Sequence, residues 1–168
     1  NGHEAVVRYL CELPLERGVD PGADRNYAVR QAATNGHADV VRYLCELPEE
    51  RGVRLTEYDN AAVRWAAING HAAIVQYLCE LPPERGVDPG ARECRALQVV
   101  AERGLTAIVQ YLCDLPLERG VDPSALNNDA LRAASQNGHT AVVQYLCELP
   151  AERGVDPSAR NNGALRAA

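Results

Sequence analysis

Between residues 38 and 47 the apolar side chains Val40, Val41, Leu44 and Cys45 fall at i, i+1, i+4 and i+5. That spacing puts them on one face of a helix with 3.6 residues per turn. Pro48 interrupts the helix because it lacks an N–H and clashes with the preceding turn. Ahead of it, residues 27–34 read Tyr-Ala-Val-Arg-Gln-Ala-Ala-Thr, an Ala-rich stretch that predicts a short helix. Asn26 stands where an N-cap would accept an orphan backbone N–H. Asn35-Gly36 marks the other end, with Gly36 free to turn left-handed at C′. A link of about a dozen residues follows, punctuated by Gly and by Asp-Pro. Its common form is Pro-x-Glu-Arg-Gly-Val-Asp-Pro-(Gly/Ser)-Ala, as at residues 116–125.

This pattern recurs along the whole chain. Gly2, Gly36, Gly70, Gly104 and Gly138 are each 34 residues apart. A strict period in that range is the signature of a stacked repeat protein, because neither short helix can bury its apolar face alone. The expected architecture is a single all-α solenoid over 1–168, with a partial repeat 1–26, complete repeats 27–60, 61–94, 95–128 and 129–162, and a partial repeat 163–168. Both ends look uncapped. An apolar face near Val6, Val7 and Leu10 is expected to lie uncovered, which suggests truncation from a longer parent or end-to-end self-association.

Composition narrows the function classes. The net charge is −6, all 17 basic residues are Arg, and no basic cluster occurs. Phosphate neutralisation supplies most nucleic-acid affinity, so nucleic acid is not an expected partner. No apolar run approaches ~18 residues, and no membrane span is expected. The opening Asn-Gly-His is no signal peptide. Five of the six cysteines (Cys11, Cys45, Cys79, Cys113, Cys147) share one slot. Helices stacked ~8–10 Å apart hold such thiols beyond disulfide reach, and no Cys-x-x-Cys spacing points to zinc. They read as small buried apolar residues, and free thiols favour a reducing, intracellular compartment. That compartment is the cytoplasm, or a host cytosol if the parent is a secreted effector. His3, His37, His71 and His139 also share a slot, which Leu105 fills once. No nucleophile, base and orienting group come together, so neither catalysis, metal nor cofactor is expected. The recurrent Glu16-Arg17, Glu50-Arg51, Glu84-Arg85, Glu118-Arg119 and Glu152-Arg153 read as exposed register-setting ion pairs worth about 0–1 kcal/mol each. Tyr9, Tyr43, Tyr77, Tyr111 and Tyr145 read as half-buried structural residues.

The segment Ala32-Ala33-Thr34-Asn35-Gly36-His37-Ala38-Asp39-Val40-Val41 resembles the Ala-Ala-x-x-Gly-His-x-x-Val-Val core of ankyrin repeats. The match recurs at each later junction. The family's Thr-Pro-Leu-His becomes Tyr27-Ala-Val-Arg30, Ala61-Ala-Val-Arg64, Arg95-Ala-Leu-Gln98, Asp129-Ala-Leu-Arg132 and Gly163-Ala-Leu-Arg166. The hairpin segment is replaced by the Arg-Gly-Val-Asp-Pro stretch, so irregular loops are expected in place of regular β-hairpins. The chain resembles a divergent subclass with Val-Asp-Pro-Ser loops. The resemblance implies that the recurrent His hydrogen-bonds backbone between repeats. It also implies a non-catalytic protein-binding module that grips a partner on a concave face of first helices and preceding loops.

Comparing the repeats with one another locates that face independently. Ala28, Val29, Ala32 and Ala33 stay small or apolar in every copy, while positions 27, 31 and 34 vary. The varying positions lie at i, i+4 and i+7, one stripe on one helical face. The loop pairs just ahead also vary: Asp24-Arg25, Tyr58-Asp59, Arg92-Glu93, Leu126-Asn127 and Arg160-Asn161. Large aromatics and Arg dominate interface hot spots. Trp65 either packs on a neighbouring repeat or anchors a partner, and its place in the stripe favours the anchor. The candidate partner-binding residues are Tyr27, Gln31, Tyr58, Asp59, Trp65, Ile68, Arg92, Arg95, Val99 and Asp129. Tyr27, Tyr58, Trp65, Arg92 and Arg95 are expected to lie close together. The partner is an unidentified protein.

Overall fold

The computed structural model describes residues 2–160 and 162–168. Asn1, first residue of the recurrent Asn-Gly-His, and Asn161, second member of the last variable pair, lie outside the described residues. Among the described residues all regular structure is helical and no strand occurs. The chain forms two compact units, Asn1–Val87 and Asp88–Ala168.

The first unit contains α1 (Glu4–Glu12), α2 (Ala23–Thr34), α3 (Ala38–Glu46), α4 (Glu57–Ile68) and α5 (Ala72–Glu80). First helices pack on first helices, α2 against α4. Second helices form a parallel layer in which α3 touches both α1 and α5. The second unit repeats the arrangement with α6 (Ala91–Glu102), α7 (Thr106–Asp114), α8 (Ala125–Gln136), α9 (Thr140–Glu148) and α10 (Ala159–Ala167). There α8 lies between α6 and α10, and α7 packs on α9.

The turn between paired helices follows from one glycine. Gly36 has φ +78°, in the left-handed region open to glycine. The His37 N–H reaches back to the Ala32 carbonyl at 2.9 Å. The next two turns add the companion bond of a Schellman motif, with Gly70 N–H to Ala67 at 3.0 Å and Gly104 N–H to Ala101 at 3.1 Å, so the last carbonyls of the helix are matched. A Cβ on Gly36 would also sit 2.7 Å from the His71 ring. Two constraints thus hold glycine at this place.

The link carries no strand, and its conformation repeats. Each copy holds a one-turn 3-10 helix, such as Leu15–Arg17, closed by a left-handed glycine, Gly18. In the Asp-Pro copies an aspartate then folds the chain back. Asp20 Oδ1 accepts the Gly22 N–H at 2.8 Å, and Asp88, Asp122 and Asp156 do the same for Gly90, Ser124 and Ser158. Such Asx turns let a side chain stand in for a backbone turn. The link that reads Arg54-Leu55-Thr56 has no such aspartate, and Leu55 is buried where the other copies place proline.

The core of each unit lies between its two helix layers. In the first it includes Val29, Val41, Leu44, Val63, Val75 and Leu78, all nearly inaccessible. Leu97, Val109, Leu112, Leu131 and Leu146 fill the second. The alanines Ala33, Ala66 and Ala67 are 0 % exposed, so first helices approach closely without bulky side chains between them. Leu78 is likewise 0 % exposed, whereas Leu15 is 61 % exposed. Leu78→Ala should therefore cost about 2–5 kcal/mol, read as a lower urea midpoint. Leu15→Ala should stay within about 0.5 kcal/mol of the parent.

Candidate functional site

A short left-handed segment precedes the right-handed part of each first helix. Asp24, Arg25 and Asn26 have φ of 48°, 52° and 61°, and right-handed helix begins at Tyr27. Tyr58–Asn60, Arg92–Cys94 and Leu126–Asn128 do the same. For residues with a Cβ this conformation costs roughly 1–2 kcal/mol each, and Asn is among the types that tolerate it best. The variable loop pairs occupy the first two places of these turns and are exposed.

Two sets of contacts offset the cost. Arg30, one turn into α2, donates Nη2 to the Asp24 carbonyl and Nε to the Arg25 carbonyl, both at 3.0 Å. Arg64 repeats this on Tyr58 at 2.8 Å and Asp59 at 3.3 Å. Gln98 replaces the arginine and donates Nε2 to the Glu93 carbonyl at 2.8 Å. Asn26, Cys94 and Asn128, third residues of their turns, reach into the following repeat. Asn26 Oδ1 accepts the Arg54 N–H at 2.8 Å, and Asn128 Oδ1 accepts the Asp156 N–H at 2.9 Å. Asn26 is therefore not an N-cap. It is 3 % exposed, and its oxygen matches a link N–H that would otherwise lack a partner. Cys94 takes the same role through sulfur, with the Asp122 N–H at 3.1 Å, and its thiol donates to the Gly120 carbonyl at 3.6 Å.

The exposed side chains sort by unit. In the first, Tyr27, Gln31, Tyr58, Asp59 and Trp65 are exposed and Ile68 is half-buried. Trp65 keeps 42 % of its surface accessible. The Tyr58 ring lies under two guanidinium groups, Arg25 at 5.0 Å and Arg30 at 4.7 Å, and Arg30 also lies 5.8 Å from the Tyr27 ring. These cation–π contacts join the left-handed turns of neighbouring repeats. In the second unit Arg92 and Arg95 are exposed, while Val99 and Asp129 are half-buried. Arg95 Nη1 donates to Gln98 Oε1 at 3.3 Å, and Asp129 pairs with Arg132. Arg30 and Arg64 are the residues that repeat comparison did not single out. Their signal was a long N–H donor at the same first-helix place in every copy, Arg or Gln.

The other recurrent polar residues serve the stack. His71 Nε2 bonds the Thr34 carbonyl at 3.0 Å and His139 Nε2 the Glu102 carbonyl at 2.8 Å, the inter-repeat contact that the resemblance implies. Arg51, Arg85 and Arg153 of the Glu-Arg pairs reach backbone carbonyls. Arg51 reaches the Leu13 and Val19 carbonyls at 3.4 Å, and Arg153 reaches Leu115 at 3.2 Å and Val121 at 3.1 Å. Arg85 donates to the Cys45 carbonyl at 2.6 Å. A guanidinium at the carboxyl end of a helix meets unpaired carbonyls and a favourable dipole, which a glutamate side chain in water does not match. Tyr43 is buried and Tyr145 half-buried, with its hydroxyl donating to Asp114 Oδ1 at 2.7 Å, but Tyr9 is exposed. Burial pushes the Cys45 and Cys113 thiols up to about 12, so these cysteines are neutral packing residues. Among the described residues no cluster of three or more His, Cys, Asp or Glu could hold a metal ion. A cleft of about 600 Å³ lies beside the aberrant link, lined by Glu49, Glu50, Val53, Arg54, Leu55, Thr56, Glu84 and Arg85. No candidate partner-binding residue lines it.

Paired short helices, stacked through alanines and left-handed glycine turns, define a helical-repeat protein. The sequence model of ankyrin repeats in three copies matches residues 1–93 and again 82–161, and the chain belongs to the ankyrin-repeat family. No curated protein matches the chain in a sequence comparison. No helix among the described residues is long and apolar enough to cross a membrane.

Cys94→Asn should stabilise the second unit by about 0.5–1.5 kcal/mol, the worth of a full-strength hydrogen bond, and more if asparagine also relaxes the left-handed φ. An unchanged denaturant midpoint would show that sulfur already meets the Asp122 N–H as well as an amide oxygen does. Thiol labelling tests the burial. Cys147 is exposed while Cys45 and Cys113 are buried, so mass spectrometry should find iodoacetamide on Cys147 first and on the other two only after unfolding.

Proposed function

We propose that the chain is a non-catalytic binding module that takes up a protein partner on the face of its first helices and the left-handed turns ahead of them. Ankyrin repeats are protein–protein interaction modules. The observation that carries the finer reading is the coincidence of two properties at one set of positions. Tyr27, Gln31, Tyr58, Asp59 and Trp65, at positions that vary between repeats, are exposed, while Ala32, Ala33, Ala66 and Ala67 beside them are buried. Ile68, Arg92, Arg95, Val99 and Asp129 complete the proposed set. Tyr27, Tyr58 and Trp65 are 52 %, 46 % and 42 % exposed, so their surface is open to a partner. A preformed surface also limits the entropy lost on binding. The reducing environment that suits free thiols makes the cytoplasm, or a host cytosol, the proposed compartment.

A second reading rests on a different surface. Val6, Tyr9 and Leu10 on α1 are 56 %, 66 % and 43 % exposed, an apolar face that end-to-end self-association would cover. Sedimentation over a concentration series separates the two readings. Mass that rises with concentration favours self-association, and a constant mass excludes it.

The test of the binding surface is affinity capture from the source organism's lysate with the parent chain and with Tyr58→Ala/Trp65→Ala. Hot-spot truncations cost at least about 2 kcal/mol, so retention of the captured protein should fall about thirty-fold or more in the double variant. Equal retention by both chains would place the interface elsewhere.

A further inference from the structure

We propose that the cleft of about 600 Å³ beside the link at residues 49–56 is a second binding site, one that takes an arginine- or lysine-bearing segment of a partner protein. It lies apart from the positions named above and does not rest on that reading, since none of those residues lines it.

The cleft accompanies the departure of one link from the common form. In the other links an aspartate accepts an N–H two residues on and folds the chain back. Arg54 stands in that place here, and Leu55 stands where the others have proline. Leu55 and Val53 are 4 % and 8 % exposed, so the apolar part of the lining lies beneath its exposed charges. The volume falls among those of pockets that hold ligands, ~300–1,000 Å³.

The charges fix the sign of what fits. Glu49, Glu50 and Glu84 are exposed, and no ion pair or side-chain hydrogen bond among the described residues involves them. The arginines next to them in sequence do not neutralise them. Arg85 donates to the Cys45 carbonyl at 2.6 Å, and Arg51 reaches the Leu13 and Val19 carbonyls. Arg54 is the remaining cation of the lining. Three carboxylates without partners thus face one guanidinium that binds no carbonyl. A cleft of one prevailing sign between low-dielectric walls concentrates the field and draws in the opposite charge. A guanidinium or ammonium group would meet the carboxylates in charge-assisted hydrogen bonds, with its aliphatic stem along Val53 and Leu55. An anion or a purely apolar group would match only one of these two features. The same glutamate slot recurs as Glu118 and Glu152, where the link keeps its Asp-Pro form. Those copies carry like charge on an ordinary link, and they serve as the control.

The experiment titrates the peptide acetyl-Ala-Arg-Arg-Ala-amide into the full ¹⁵N-labelled chain and follows amide shifts. The shifts should centre on residues 49–56 and 84–85. Glu50→Gln/Glu84→Gln should weaken binding about ten-fold or more, from the loss of two charge contacts. Glu118→Gln/Glu152→Gln removes as much charge and should leave affinity within about two-fold. Arg54→Glu should tighten binding about five-fold. All four glutamates are exposed, so melting temperatures should stay unaltered. Equal weakening by the two glutamine pairs would reduce the effect to net charge and overturn the site. Weaker binding in Arg54→Glu, or tighter binding of acetyl-Ala-Glu-Glu-Ala-amide than of the arginine peptide, would overturn the sign of the ligand. Absence of any shift at millimolar peptide would overturn the proposal outright. None of these outcomes bears on Tyr58 and Trp65, which the capture experiment decides by itself.

Discussion

The structure depends on how a long link without a strand finds partners for its backbone. About half of each repeat lies outside its two right-handed helices, and those peptide groups belong to no ladder. Buried polar groups left unmatched cost about 1–3 kcal/mol each. The following repeat supplies much of what is missing. Arg51 binds the carbonyls of Leu13 and Val19 in the copy before it, and His71 binds that of Thr34. Asn26 works in the other direction and takes the N–H of Arg54. A repeat is therefore incomplete alone in its hydrogen bonds as well as in its apolar face. This double dependence is what makes the period so regular, since an inserted residue would break both at once.

The same constraint separates the side chains that hold the stack from those that do not. Alanines on the first helices let α2 and α4 approach closely. The glycine turns, the carbonyl-binding arginines and the asparagine of the left-handed turn occupy the places where change is costly. What remains is a set of exposed positions on the first helices and at the turn tips. Their identity varies from copy to copy while the buried positions beside them stay small or apolar.

Most of the architecture was legible in the amino-acid sequence. The 34-residue period, the apolar face through Val40, Val41, Leu44 and Cys45, and the Asn35-Gly36 stop determine the paired helices, the left-handed glycine and the burial of four of the five slot thiols, Cys147 being exposed. Residues such as Tyr27, Gln31 and Trp65 could be placed on one exposed stripe because helical spacing and variation between copies point to the same side. These are local properties, set within one turn or by repetition.

The partners of polar side chains were decided by tertiary structure. Asn26 has the composition and position of an N-cap, yet its oxygen serves a backbone group 28 residues away. Arg51 stands next to Glu50, yet its guanidinium goes to carbonyls of the preceding repeat. The left-handed turn at Asp24–Asn26 contains no glycine to announce it, and its hydrogen bonds go to Arg30 and to the next link. The sequence by itself determined the period, the helices and the buried face, since these follow from propensity and spacing along the chain. Which donor meets which acceptor was left to the folded stack, because that choice depends on groups that become neighbours only when one repeat closes on the next.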